Sequence, residues 1–215
     1  MSESAQTTGT AGKAATVEAV VFDVGRVLFE WDLRHLFRKL IADADELEWF
    51  VSTVVTEEWH FQHDAGRPLA EMVAERTAEF PAHAPLIEAY ATRFGESIPG
   101  PVPGSLPLVD ALAARAVPLY AITNFGGEFW PPFRAAQPVF NHFRDIVVSG
   151  FEQVAKPEAE IFHRAAARFG HAPEAMLFID DNAANIAAAD ALGWQVHHFS
   201  SADRLGEDLR ARGLI

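Results

Sequence analysis

Two hydrophobic patterns alternate along this chain. The first is a set of short apolar runs that each end in polar residues. Val17 to Phe22 (VEAVVF) ends at Asp23, with Gly25 close behind, and Val117 to Ile122 (VPLYAI) ends at Thr123, Asn124, Gly126 and Gly127. Asp145 to Val148 ends at Ser149 and Gly150, Met176 to Ile179 (MLFI) ends at Asp180, Asp181 and Asn182, and Gln195 to Phe199 closes the series. Short continuous runs rich in β-branched and aromatic side chains suit strands buried on both faces of a parallel sheet. The second pattern is helical. Leu106 to Ala114 has apolar residues at helical spacing, and Ile161, Ala165 and Phe169 recur at four-residue intervals within Glu158 to Phe169. The Ala-rich stretch Asn182 to Leu192 stops at Gly193, a natural C-terminal breaker.

Strands alternating with helices predict an α/β fold, a doubly wound parallel sheet of Rossmann-like type. Ligands of such sheets bind outside the carboxyl ends of the strands. Asp23, Thr123, Asn124 and the Asp180-Asp181 pair all fall there. Leu33 to Pro99 breaks the alternation: it has no buried-strand run, but amphipathic helical patterns with Phe37, Trp49, Phe50, Trp59, Phe61, Phe80, Tyr90 and Phe94. The proline-rich IPGPVPGSLP that follows marks a hinge. The expected organisation is a core domain of residues 17–32 and 101–215, with a helical cap domain, 33–100, inserted between the first and second strands. Residues 1–16, small and polar, read as a flexible tail.

Composition narrows the function classes. No apolar run reaches the roughly 20 residues needed to cross a bilayer, so no membrane partner is expected. The N-terminal MSESAQTTGTAGKAAT has no basic patch ahead of an apolar core, so it does not read as a secretory signal. A net charge of -13 argues against a nucleic-acid-binding surface, which needs a basic stripe, so no nucleic-acid partner is expected. The chain has no cysteine, so any metal must be held by oxygen or imidazole, and a cytoplasmic location is expected.

Taken singly, the polar strand ends have ordinary explanations. Asp23, Thr123 and Asn124 are residue types that cap helices and turns, and Lys156 in VAKPEAEIF reads as a solvated lysine before a helix starting at Pro157. The adjacent carboxylates of Asp180 and Asp181 are harder to explain, because they repel each other unless a cation or lysine lies nearby. In their order along the chain, the four segments resemble the haloacid dehalogenase (HAD) superfamily of hydrolases. VVFDVGRVLF resembles the first motif of that superfamily, AITNF the second, VAKPEAEIF the third and FIDDNAANIAAADALGW the fourth. The resemblance implies Asp23 as a covalent nucleophile and Thr123 and Asn124 as ligands of the transferring group. It implies Lys156 as the residue that reaches both nucleophile and substrate. Asp181 would bind the metal together with Asp23, and Asp180 would serve the metal shell or Lys156. The implied cofactor is Mg²⁺ and the implied partner a small phosphorylated substrate. An Asp nucleophile attacking a phosphate dianion beside two further carboxylates needs such a cation to overcome repulsion.

One departure matters. Most phosphatases of the superfamily have a second Asp two residues after the nucleophile as general acid and base, and Gly25 stands there instead. DVGRVLFEWD and WHFQHDAGRPL are similar to a branch that includes bacterial glucose-1-phosphate phosphatases, whose first motif reads roughly D-x-G-N-V. General acid catalysis is typically worth about 10²–10⁴-fold. Without it, leaving groups that need little proton help are favoured, unless Glu30, Asp32, His60 or His63 supplies the proton. The same departure is compatible with a 2-haloacid dehalogenase, since a halide departs without a proton. Dehalogenases of the superfamily, however, have S-S-N in place of Asp180-Asp181-Asn182 and work without metal. A domain that only binds is the third reading; it is disfavoured because Asp23 and Lys156 are both present. Trp59, Phe61, His63, Phe125 and Trp130 are candidates to face the leaving group, with packing in the cap's own core as the alternative for each.

Overall fold

The computed structural model describes residues 16–215, so the expected tail lies, except for its last residue, outside the described residues. Five strands form one parallel sheet: β1 (Ala19–Phe22), β2 (Leu119–Thr123), β3 (Asp145–Val148), β4 (Met176–Asp180) and β5 (Gln195–His198). Their order is β3-β2-β1-β4-β5, which puts β1 at the centre with β2 on one side and β4 on the other. The register pairs Phe22 with Ala121 and with Ile179, so the chain leaves all three strands at one level. That places Asp23, Thr123-Asn124 and Asp180-Asp181 side by side at the point where the strand order reverses.

Alternation along the strands divides the interior in two. Val20, Phe22, Leu119, Ala121, Leu177 and Ile179 face one apolar cluster, while Ala19, Val21, Tyr120, Ile122, Met176 and Phe178 face another. The second is covered by α9 (Ala159–Phe169), through Ile161, Phe162, Ala165 and Phe169, and by Ala189 of α10 (Ala183–Ala191). The first is covered by α6 (Ser105–Ala114) and α11 (Ala202–Ala211), the latter an amphipathic helix beyond the last predicted strand. Two short helices, α7 (Trp130–Ala136) and α8 (Ser149–Glu152), follow β2 and β3.

Between β1 and α6 the helices are α1 (Leu33–Phe37), α2 (Ala44–Thr53), α3 (Glu57–Asp64), α4 (Leu69–Glu79) and α5 (Ala84–Arg93). Three of them start at side-chain caps: Asp32 receives Arg34 N–H, Asp43 receives Glu46 N–H, and Thr56 receives Trp59 N–H. Phe37, Phe50, Met72, Ile87 and Tyr90 are fully buried in the apolar cluster that also covers the sheet. The segments entering and leaving the insertion run side by side, with Glu30 N–H on Gly100 C=O and Val102 N–H on Leu28 C=O. Helix α3 rests on the core: the Ser149 hydroxyl donates to the Asp64 carbonyl, and His63 packs over Gly126, where an added Cβ would lie 2.1 Å from the imidazole. No helix of the described residues is long and apolar enough to cross a membrane.

Candidate active site

Asp23 follows the central strand and is 8% exposed. The Lys156 ammonium lies 2.8 Å from Asp23 Oδ1 and 2.7 Å from Asp180 Oδ2, and the lysine is 1% exposed. A lysine buried this deeply persists only because two carboxylates meet it. Burial alone depresses its basicity, but Asp180 and then Asp23 outweigh that and raise it above the ordinary lysine value. Burial also lifts the Asp23 carboxyl, to about 7; Lys156 opposes the rise and Asp180 adds to it. Half-buried Asp181 is raised by burial and by Asp180, with Arg26 opposing.

Asp180 is fully buried and fully engaged. Besides Lys156, it accepts from the Asn182 backbone N–H at 2.8 Å and from the Asn185 amide at 3.1 and 3.0 Å. Asn185 was not singled out in the sequence. Its signal is faint: one inward-facing amide in an Ala-rich helix, capped by Asn182. The carboxylates of Asp23, Asp180 and Asp181 offer ligand oxygens within 4.8 Å of one another. With all three carboxylates ionised, as a bound cation would favour, the cluster against one ammonium carries a net charge of −2, the complement of a divalent cation. The donor set is all oxygen and therefore fits Mg²⁺.

Asn124 and Thr123 sit at the end of β2 with different surroundings. The Asn124 amide donates to the Lys156 carbonyl at 3.0 Å and accepts from the Lys156 N–H at 2.9 Å. It thus clamps the main chain that carries the lysine and keeps one further N–H. Thr123 is 1% exposed, and its hydroxyl has no hydrogen-bond partner among the described residues.

A cavity of about 170 Å³ opens over Asp23, Lys156 and Asp181. Its walls are aromatic, with Phe29, Trp31, Phe94, Phe125 and Phe133, and polar at Arg26, Glu30, His60 and Asp64. Trp31 has the Arg26 guanidinium 4.7 Å from its centroid and is stacked on His60 at 5.0 Å. Of the aromatic and histidine candidates for the leaving group, only Phe125 lines this cavity; Trp59, His63 and Trp130 are buried in packing, and Phe61 faces outward, 41% exposed. Among the candidate proton donors, His60 and Glu30 reach the cavity. Asp32 is occupied as a helix cap, and His63 is packed against Phe129. Gly25 does not occupy the left-handed backbone region, and a Cβ there would meet nothing within 4 Å. Neither backbone angle nor crowding therefore demands glycine at that position.

The family model of haloacid dehalogenase-like hydrolases matches residues 17–193, and the chain belongs to that family of hydrolases. It is 34% identical over 85 residues to the phosphoglycolate phosphatase of Escherichia coli K12, covering 40% of this chain and 34% of that protein. It is 24% identical over 201 residues to the sesquiterpene phosphatase astK of Aspergillus oryzae, covering 93% of this chain and 97% of that protein. The chain matches only 17% of the length of a mouse protein, acyl-CoA dehydrogenase family member 10, at 24% identity over 81% of this chain. Among solved structures, a HAD family enzyme from Bacteroides thetaiotaomicron in its magnesium complex superposes with a TM-score of 0.69 at 18% identity, covering 91% of this chain and all of that one. The L-2-haloacid dehalogenase of Xanthobacter autotrophicus has the same fold, with a TM-score of 0.61 at 16% identity, covering 91% of this chain and 83% of that one.

Proposed function

We propose that this hydrolase is a metal-dependent phosphatase that releases phosphate from a small organic monoester through an aspartyl-phosphate at Asp23. The observation that carries the reading is the cluster of three carboxylates, two of them paired with one buried lysine. Asp23 and Asp181, with Asp180 behind them, are the residues that would hold Mg²⁺. Bound there, the ion supplies charge neutralisation and orientation for the transferring phosphoryl group. Asp23 attacks phosphorus, Lys156 keeps its carboxylate in place and adds positive charge, and Asn124 holds Lys156 through its main chain. The uncommitted Thr123 hydroxyl is suited to donate to a phosphoryl oxygen.

In this reading residues 33–100 act as a cap, and the cavity between Trp31, Phe94 and Phe125 takes the leaving group and excludes water during transfer. Aromatic walls favour an alcohol with an apolar body. Two phosphatases among the matched relatives support phosphoryl chemistry. Dehalogenation is disfavoured by the same cluster, because three carboxylates repel an anionic haloacid. Phosphate release from a panel of phosphorylated metabolites, and halide release from 2-haloacids, distinguish the two when measured with Mg²⁺ and with chelator. Phosphate release that needs the metal is expected. Halide release unaffected by chelator would overturn the proposal.

A further inference from the structure

Helix α3 presents His60 and Asp64, four residues apart on one face, to the cavity above Asp23. Asp64 is 6% exposed. Its Oδ2 lies 3.2 Å from His60 Nε2, and His60 Nδ1 lies 2.7 Å from the Tyr90 hydroxyl. Burial keeps Tyr90 protonated, and in the tautomer in which its O–H donates to Nδ1 the imidazole turns Nε2–H toward Asp64. The imidazole is held in that plane between Trp31 at 5.0 Å and Phe94 at 5.2 Å, both stacked on it. The hydroxyl of Ser149 fixes the backbone of Asp64 against the core. Yet the other carboxylate oxygen, Oδ1, is buried with no hydrogen-bond partner among the described residues. Leaving a buried carboxylate oxygen unpaired costs stability, and such groups persist where a reaction or ligand uses them. Gly25 lines the same cavity, and a Cβ there would meet nothing within 4 Å, so the position where a proton donor is expected is open.

We propose that Asp64, positioned by His60 and Tyr90, is the proton donor and acceptor of this enzyme, doing from the cap what residue 25 does not do from the core. The inference rests on the phosphatase reading of the Asp23 site. In the first half-reaction an Asp23 oxygen bonds to phosphorus as the bond to the ester oxygen breaks. The bonding electron pair goes to the departing oxygen, which takes its proton from the Asp64 carboxyl, and the alcohol leaves. In the second, water bonds to phosphorus, the Asp23–phosphorus bond breaks to regenerate the carboxylate, and the Asp64 carboxylate takes the proton released by the water. The enzyme returns to its starting state with inorganic phosphate as the second product. One consequence reverses the expectation drawn from Gly25 alone: alkyl phosphates, whose alcohols leave only with proton help, are substrates.

The test is a series of aryl and alkyl phosphates assayed with Mg²⁺ on the parent, Asp64→Asn and Asp64→Asn/Gly25→Asp. Asp64→Asn is expected to lose about 10²–10⁴-fold on alkyl phosphates and less than about 10-fold on dinitrophenyl phosphate, whose leaving group needs no proton. Adding Asp at position 25 should restore part of the alkyl activity, which repair of a merely structural defect would not do. Tyr90→Phe, which leaves the cap packing intact, should show the same leaving-group split in weaker form, and it serves if Asp64→Asn does not fold. Equal losses across the series, or none, would overturn the assignment of Asp64 alone. A parent protein that hydrolyses no phosphate ester would overturn the phosphatase reading and this inference with it.

Discussion

Two buried polar clusters contribute to the lining of one cavity, and they are built differently. The floor, made of Lys156, Asp180, Asn185 and Asn124, centres on paired charges: an ammonium between two carboxylates, and an Asp180 whose two oxygens meet Lys156, Asn182 and Asn185. The wall, made of Tyr90, His60 and Asp64, ends in an unanswered oxygen. The floor is anchored by strand ends, which the sheet holds rigidly in register. The wall stands on an inserted helix that touches the core through Ser149 and Gly126. A satisfied network holds geometry, whereas an unsatisfied one is poised to bind or exchange a proton. The contrast teaches which cluster to disturb for stability and which for chemistry.

The largest effect should come from the floor. Lys156→Met removes the ammonium and leaves Asp23 and Asp180 buried without a counter-charge. Breaking one side of a buried pair costs about 3–5 kcal/mol. Urea unfolding in chelator should show a loss of that order, with part recovered in Mg²⁺; an unchanged midpoint would mean that the lysine does not hold this cluster together. Next is the seat of the wall. Gly126→Ala drives a methyl into His63, and overpacking of this kind costs about 1–3 kcal/mol. Because His63 lies one residue from Asp64, activity should fall together with the melting temperature. Loss of stability with full activity would uncouple α3 from the chemistry.

Most of the floor was legible in the sequence, whereas of the wall only His60 was a named candidate, for a physical reason. Asp23, Asn124 and Asp180 each end an apolar run, and parallel pairing brings run ends to one level, so their meeting follows from strand order. Lys156 lies on a loop, and its place came from the resemblance of VAKPEAEIF to a motif. Asn185 was missed because one amide in an Ala-rich helix does not announce which way it faces. Asp64 sits inside WHFQHDAGRPL, but only the packing of α3 against Trp31, Phe94 and Tyr90 shows which of His60, His63 and Asp64 reaches the cavity. Helical spacing places residues on a face without saying what that face meets. The strands were read to within about two residues of their ends, while α7, α8 and α11 had no counterpart in the sequence reading.

A smaller effect sharpens the metal assignment. Asp181→Asn should raise the Mg²⁺ concentration for half-maximal activity by at least about 10-fold, with activity returning at high metal. An unchanged half-saturation would move the ion away from Asp181. A further effect is a pH slope. The Asp23 carboxyl, ordinarily at 3.8, is raised by burial to about 7 in the folded protein. Its contribution to stability is therefore fully present below pH 3.8 and is lost as pH rises through about 7. In chelator the parent should melt progressively lower than Asp23→Asn between pH 4 and about 8, and Mg²⁺ should close that gap at the upper end. A gap that does not grow with pH would contradict the buried, raised carboxyl.

The central claim is that Asp23 carries the phosphoryl group. Rapid acid quenching during turnover of a labelled aryl phosphate, followed by peptide mapping, reads this directly. The account predicts label on the peptide that contains Asp23, discharged when turnover is allowed to finish, and none on Asp23→Asn. Label on another residue, or hydrolysis by freshly prepared Asp23→Asn at the parent's rate with deamidation excluded by mass, would contradict it.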